Sequence, residues 1–264
     1  MQPQGIAVVT GASRGIGRAV AIELAERGFD AVATMRDPAA GTDLTDLGIH
    51  VRRLDVTEPS SIDLPQGLRV LVNNAGVESD NLPVEVMPTE SWRMLFETNV
   101  FGLIEVTKRA IPIMRAAGGG VICNVTSSST LAPVPFMAAY RATKAAVTAI
   151  GESLASEVAQ FGIRVVEIMP GPIETDMLAG SDHPSPAVEH EPYRSLAQKM
   201  WEGRQGVRSS YTPAPEAARR IVDSICADDG PLRYGCDPLS EGMLQGWNTS
   251  DNDSWVRGML RAFS

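Results

Sequence analysis

The residues best placed by type and spacing to do chemistry are Tyr140-Arg-Ala-Thr-Lys144, with Ser127 upstream. Tyr and Lys at i and i+4 share one helix face. A free phenol, with a pKa near ~10, is a poor acid–base group at neutral pH. An adjacent ammonium stabilises the phenolate and lowers that value. The pair is therefore suited to exchanging a proton with the oxygen of a carbonyl/alcohol couple. Ser127 is positioned in the chain to hydrogen-bond the same oxygen, and no other tyrosine has a lysine four residues on. The ordinary fate of such a spacing is a surface helix pair. A second motif argues against that here.

That motif is Thr10-Gly11-Ala12-Ser13-Arg14-Gly15-Ile16-Gly17, between an apolar run at Ile6–Thr10 and an amphipathic stretch at Gly15–Arg27. Glycines let a backbone turn sharply and approach a pyrophosphate, while a helix amino terminus supplies free N–H groups and a positive dipole. The alternative is a plain glycine-rich turn. A dinucleotide site often has an acid about 20 residues further on for a free ribose 2′-hydroxyl, or an Arg for a 2′-phosphate. Here the second run ends in Met35-Arg36-Asp37-Pro38. Arg36 with Arg14 can clamp a phosphate dianion through charge-assisted bonds. Asp37 is the competing ribose ligand, but Asp before Pro is also an ordinary helix N-cap. We favour the phosphate reading, hence NADP(H), with NAD(H) as the alternative.

Three further positions invite two readings each. Asp55, ending a third run, either accepts an adenine amino hydrogen or caps a turn. Asn73-Asn74-Ala75-Gly76 ends the fourth run, where small residues permit close approach and amides can brace strands. Asn99 lies inside a long helical stretch, where Asn is a mediocre residue. It is either tolerated there or marks a kink that offers a carbonyl to a relay water.

These groups need a frame. Apolar runs at Ile6–Thr10, Ala31–Met35, His50–Leu54, Arg69–Asn73, Val121–Thr126 and Arg164–Met169 predict strands covered on both faces. Helices are predicted at Gly15–Arg27, Glu90–Ala117 and Ala138–Gln160, with short or irregular ones within 37–48 and 57–67. The alternation implies βαβ units, an α/β fold with a parallel doubly wound sheet, and a ligand crevice at the strands' carboxyl ends. No linker separates two cores, so residues 1–264 read as one domain. Proline-rich residues 174–215 read as a lid with a helix near Tyr193–Glu202. A helix over Glu216–Ala227 and a last strand over Pro231–Tyr234 follow, and the polar tail is placed as a cap, an extension over 238–264.

Composition narrows the classes. Lys+Arg 23 against Asp+Glu 32 gives a net charge of −9, which argues against a nucleic-acid binder or a polybasic membrane-surface protein. No run approaches the ~18 apolar residues of a membrane span, and the start lacks the charged region of a signal peptide. Cys123, Cys226 and Cys236 form no CxxC pair, and His50, His183 and His190 are scattered. No metal site or disulfide framework is expected, and the setting fits the cytoplasm.

In sum the motifs resemble those of the short-chain dehydrogenase/reductase family, in family order over roughly residues 5–176. The matching residues are the glycine loop, Asp55, Asn73-Asn74-Ala75-Gly76, Asn99, Ser127, Tyr140-x-x-x-Lys144 and Pro170-Gly171-Pro-Ile173-Glu-Thr175. Ser127, thirteen residues before Tyr140, suits the family spacing better than Ser128 or Ser129. The resemblance implies a Rossmann-type fold of about seven strands and a tetrad of Asn99, Ser127, Tyr140 and Lys144. In it Tyr140 is the acid/base, Ser127 polarises the substrate oxygen, Lys144 depresses the tyrosine and holds the nicotinamide ribose, and Asn99 holds the relay water. Cofactor contacts are implied at Gly11, Ser13, Arg14, Gly15, Ile16, Gly17, Arg36, Asp55, Val56, Asn74, Ala75 and Gly76. Pro170, Gly171, Ile173 and Thr175 line the nicotinamide. Dimers or tetramers through the two long helices are also implied.

The expected reaction moves hydride between NADP(H) and a carbonyl or secondary alcohol on a small, apolar molecule, steroid-like or similar. Met137, Met177, Leu178, Met200 and Trp201 are candidates for the apolar wall of its pocket. The chain ends without the family's frequent Asp-Gly-Gly, which weakens the analogy to acyl-carrier ketoreductases. The rivals are a 3-oxoacyl-thioester reductase and a non-catalytic dinucleotide-binding regulator.

Overall fold

The computed structural model describes residues 1–176, 183–206 and 208–263. Six strands fall where the apolar runs predict them: β1 (Ile6–Thr10), β2 (Asp30–Met35), β3 (His50–Arg53), β4 (Leu68–Asn73), β5 (Gly120–Val125) and β6 (Ile163–Ile168). Two-residue strands follow: β7 (Ile173–Glu174), β8 (Thr212–Pro213) and β9 (Arg233–Tyr234). The main sheet runs β3-β2-β1-β4-β5-β6-β9, parallel throughout, and β7 pairs with β8 apart from it. The order reverses between β1 and β4, which puts the crevice at the carboxyl ends of those two strands.

The unbroken apolar strands feed two cores. In β1, Ala7 and Val9 face one cluster while Val8 faces the other; β4 (Val70 and Val72 against Leu71) and β5 (Val121, Cys123 and Val125 against Ile122) do the same. Burying each such Val, Leu or Ile stabilises the fold by roughly 1.5–3 kcal/mol. On the first face lie helices α1 (Gly15–Glu26) and, further on, the segment Ala214–Cys226. The second is covered by the two long helices.

Between β3 and β4, residues 57–67 make a single 3₁₀ turn at Pro59–Ser61, and a 3₁₀ turn at Pro38–Gly41 runs into the short helix α2 (Thr42–Thr45). The stretch predicted as one helix over Glu90–Ala117 is three pieces: α3 (Thr89–Phe96), a π-helical turn at Glu97–Gly102, and α4 (Leu103–Ala116). At Gly102 a Cβ would come within 2.8 Å of Val56 Cβ, so this helix passes the exit of β3 only because glycine stands there. Helix α5 (Ala138–Val158) carries the Tyr/Lys pair.

Beyond β7 come α6 (Arg194–Gly206) and α7 (Ala214–Cys226). The tail folds into α8 (Pro238–Thr249) and α9 (Asn252–Phe263). Leu244, Met243 and Trp247 pack on Leu131 and Met169, and the Trp255 indole donates to the Leu131 carbonyl at 2.6 Å. The tail thus docks on the turn that follows Ser127. Among the described residues no helix is long and apolar enough to cross a membrane, and no group of three or more His, Cys, Asp or Glu could hold a metal ion.

Candidate active site

At the head of the crevice, the glycine loop leads from β1 into α1. Gly11 has φ +65, and a Cβ there would strike the Ala75 backbone at 2.8 Å. Gly17 carries no Cβ because one would overlap the Asn74 amide and the Gly11 carbonyl. The loop is thereby pressed onto the end of β4. Thr10 Oγ1 accepts from the Asn74 and Ala75 N–H groups, both at 3.0 Å, and Asn74 Nδ2 donates to the Thr10 and Gly11 carbonyls at 2.9 and 3.1 Å. Asn73 Nδ2 donates to Asn124 Oδ1 at 2.9 Å and to Thr107 Oγ1 at 3.0 Å. Both asparagines are braces between elements. The first turn of α1 has no side-chain cap and no acid, so its N–H groups stay available to an anion.

Arg36 is exposed just past β2, and Arg14 pairs with Asp176 at 3.6 Å across the loop. Asp37 is the N-cap of the Pro38–Gly41 turn, accepting from the Ala39 N–H at 3.0 Å. Asp55 also caps its own turn, accepting from the Thr57 N–H at 2.9 Å and hydroxyl at 2.7 Å. Burial pushes Asp55 up, but these hydrogen bonds, with the Arg36 and Arg53 charges, leave its pKa below the usual carboxylate range. Val56 is buried behind it. Opposite, Gly171 and Ile173 follow the buried Pro170, and the position of a Cβ on Gly15 lies 3.2 Å from Thr175 Cγ2. Ser13 and Ile16 belong to the same glycine loop, which touches Asn74 and Ala75 on one side and Thr175 and Asp176 on the other.

Ser127, Tyr140 and Lys144 meet where β5 ends. Lys144 is 6% exposed and donates from Nζ to the Val125 carbonyl at 2.9 Å, with Nζ 5.7 Å from the centre of the Tyr140 ring. Burial lowers its pKa to about 8, against the negative charge of Glu78, which opposes the drop. Ser127 hydrogen-bonds the Tyr140 phenol. The phenol's pKa is nonetheless raised, by burial first and by Glu78 second, with Ser127 pulling the other way. The protein alone thus holds Tyr140 protonated, whereas the spacing with Lys144 predicted a depressed value. The reason is that the phenol is withdrawn from water and faces the Glu78 charge.

Asn99, 2% exposed, sits in the π-helical turn. Its side chain accepts from the Val77 N–H at 2.8 Å and donates to the Val77 carbonyl at 2.9 Å and to Thr143 Oγ1 at 3.1 Å. A π-helical turn interrupts the helix here, and the side chain is a two-point clamp on the chain just after Gly76. π-helical turns of this kind recur at functional sites.

The 132–137 loop meets the chain just before α6. Phe136 has φ +65, the single non-glycine in that region among the described residues, and its ring packs edge-on against Tyr193 at 6.0 Å. Such strain in an aromatic residue marks a position held by its surroundings. Met137, Met200 and Trp201 are half-buried; Met177 and Leu178 lie outside the described residues. Two site residues escaped the sequence reading. Glu78 is one, and a lone acid two positions past Gly76 gives no signal. Asp237 is the other: its Asp-Pro pair announces an N-cap, but not its second bond, to Gly171.

Fold and site together define a doubly wound dinucleotide-binding protein with a Ser-Tyr-Lys centre. The family model described as short chain dehydrogenase matches residues 5–185. The 3-oxoacyl-[acyl-carrier-protein] reductase FabG of Vibrio cholerae is 38% identical over 242 residues, 85% of this chain and 96% of that one. The uncharacterized oxidoreductase YusZ of Bacillus subtilis is 39% identical over 191 residues, 67% of this chain and 68% of the relative. A short-chain dehydrogenase from Burkholderia cenocepacia, solved in complex with NADP, superposes with a TM-score of 0.80 at 25% identity, covering 98% of this chain and 99% of that chain. The chain belongs to the short-chain dehydrogenase/reductase family. It is an oxidoreductase acting on CH–OH/C=O groups.

Proposed function

We propose that this chain is an NADP(H)-dependent reductase of a small carbonyl compound, with Tyr140 as the acid. The observation that carries this reading is the Ser127–Tyr140–Lys144 cluster at the crevice mouth, with its phenol held protonated. A protonated phenol is the form that a carbonyl oxygen needs as its charge develops. Ser127 hydrogen-bonds the same oxygen. Lys144 sits beneath the pair as the nearest fixed cation and takes the ribose hydroxyls. Asn99 shapes the turn that offers a carbonyl to the proton relay.

The uncapped start of α1 and the glycine loop pressed on Ala75 fit a pyrophosphate. Exposed Arg36, with Asp37 already used as a cap, fits a 2′-phosphate better than a free ribose hydroxyl. Gly11, Ser13, Arg14, Gly15, Ile16 and Gly17 hold the phosphates, Asp55 and Val56 the adenine, and Pro170, Gly171, Ile173 and Thr175 the nicotinamide. When bound, the cofactor supplies or takes the hydride. NADP in the Burkholderia cenocepacia structure supports this choice.

In this reading half-buried Met137, Met200 and Trp201 bound the pocket and the described part of residues 174–215 covers it, so the substrate has an apolar body. A 3-oxoacyl thioester is the second reading, favoured by the similarity to the Vibrio cholerae reductase. The protein works in the cytoplasm as a homo-oligomer. Phe101, 53% exposed beside α4, and a shallow depression of about 440 Å³ lined by Ala149, Ile150, Ser153, Leu154 and Glu157 on α5 support self-association through these helices. The test is a screen of ketones, aldehydes and 3-oxoacyl thioesters, following loss of reduced nicotinamide absorbance. Turnover of a simple ketone supports the first reading; turnover of thioesters alone replaces it with the second. Unchanged KM values after Ala substitution of Met137, Met200 and Trp201 remove the apolar wall.

A further inference from the structure

Ser127 is the N-cap of a 3₁₀ turn over Ser128–Leu131. The turn grips it twice. Ser127 Oγ accepts the Ser129 N–H at 3.2 Å, and the Ser127 carbonyl accepts the Thr130 N–H at 3.1 Å and hydroxyl at 2.8 Å. The turn is in turn held from three sides. The Ser128 N–H donates to the Pro170 carbonyl at 2.9 Å. Arg141, the residue after Tyr140, donates from Nε to the Ser129 carbonyl at 2.6 Å. The third hold comes from the tail: Trp255 Nε1 donates to the Leu131 carbonyl at 2.6 Å. Among the described residues no other donor reaches that carbonyl.

Local structure delivers Trp255 to this point. Asp251 Oδ1 accepts the Asp253 and Ser254 N–H groups at 3.1 Å each, which fixes the start of α9. The indole then lies against α8 at Gly246, where a Cβ would overlap the ring. The Leu131 side chain is buried and packs with Met169, Leu244, Met243 and Trp247. Apolar packing is non-directional and tolerates rotation of the peptide beside it. A hydrogen bond is directional. Trp255 therefore fixes the peptide that closes the turn, next to Thr130, whose N–H and hydroxyl hold the Ser127 carbonyl. Trp255 lies outside residues 5–185, the segment matched by the family model.

We propose that Trp255 is a positioning residue for the reaction: its indole N–H holds the turn so that the Ser127 hydroxyl stays aimed at the oxygen it shares with Tyr140. A misplacement of about 1 Å at a reacting centre can cost on the order of a hundredfold in rate. A single hydrogen bond on the far side of the turn is thus enough to matter. The tail supports the catalytic serine as well as covering it. This inference rests on the reading of Ser127 as the group that polarises the substrate oxygen.

The test follows reduction of cyclohexanone by NADPH in wild type, Trp255→Phe, Ser127→Ala and the double variant. Phe keeps a ring against Gly246 and removes the N–H. In Trp255→Phe, kcat/KM for cyclohexanone should fall by roughly three- to thirtyfold, with the KM for NADPH unchanged. In the Ser127→Ala background the same substitution should bring no further fall, because both act on one hydroxyl. Wild-type kcat/KM in Trp255→Phe overturns the proposal, as does an equal second fall in the double variant. The second readout is hydrogen exchange of the Ser129 and Thr130 amides, which should be roughly three- to tenfold faster in Trp255→Phe. Unchanged protection also overturns the proposal. Gly246→Ala leaves a better helix former in α8 and crowds the indole out of place. It should reproduce both changes. Wild-type turnover by Ser127→Ala would overturn the reading of the serine instead. The exchange readout needs no turnover, and faster exchange then still supports the hold of Trp255 on the turn.

Discussion

The buried carboxylate of Asp237 accepts the backbone N–H of Gly171 at 2.7 Å, and its other oxygen accepts the Ser240 N–H at 3.0 Å. One side chain thus caps α8 and anchors the Pro170-Gly171 turn. A Cβ on Gly171 would fall within 2.5 Å of that carboxylate, so the two positions fit only as a pair. Asp237→Ala should cost about 2 kcal/mol, from unsatisfied buried N–H groups and a lost cap. Asp237→Asn keeps the acceptor for Ser240 but turns an amide toward Gly171. It should therefore lose less stability while still weakening cofactor binding. Thermal unfolding and NADPH titration of both variants separate the two functions; equal cofactor affinity throughout would deny the anchor.

Arg36→Ala should weaken NADPH binding by roughly ten- to hundredfold while leaving NADH nearly unaffected. The phosphate contact is the only one that differs between the two cofactors. Fluorescence titration with each cofactor gives the answer. A parallel loss for NADH would assign Arg36 to the ribose or to the loop fold.

Tyr140→Phe keeps the ring on its helix and removes the proton. The reduction rate should drop by roughly 10²–10⁴, with NADPH affinity and unfolding temperature close to wild type. Retained turnover would remove Tyr140 as the acid.

Lys144 loses its proton near pH 8, far below an ordinary lysine. For a rate that depends on the ammonium, kcat/KM should be flat below that pH and fall above it. Glu78 favours the charged form of Lys144, so Glu78→Gln should move the descending limb to lower pH. The pH profile of reduction in the two proteins checks the sign. An unmoved limb, or movement to higher pH, would deny that the Glu78 charge supports the ammonium.

Much of this was legible in the chain because period and punctuation are local. The strands of the sheet were readable because each alternates between two apolar faces, giving continuous apolar runs such as Ala7–Val9. The glycine loop and Tyr140/Lys144 were readable because their spacing carries the chemistry. The π-helical turn at Glu97–Gly102 was not, since one extra residue per turn leaves no mark on a helical pattern. Nor was the raised Tyr140 pKa. It depends on burial and on Glu78, which is remote in sequence from α5 and is delivered by the Asn99 grip on Val77. Asp37 and Asp55 each allowed two readings, and the structure shows both acting as caps, because an Asp two residues before a free N–H satisfies it locally.

The pairing of β7 with β8 brings Ile173 beside Thr212 and Glu174 beside Pro213. The pair is parallel, so the chain leaves one end of a two-residue ladder and returns at its other end, which starts and finishes the excursion at one place on the fold. Closure entropy rises only slowly with loop length. Residues can be gained or lost between the two strands with little strain on the Rossmann sheet. On the lid reading proposed above, exchanging that excursion is the route to a new specificity that least disturbs the strands carrying the glycine loop.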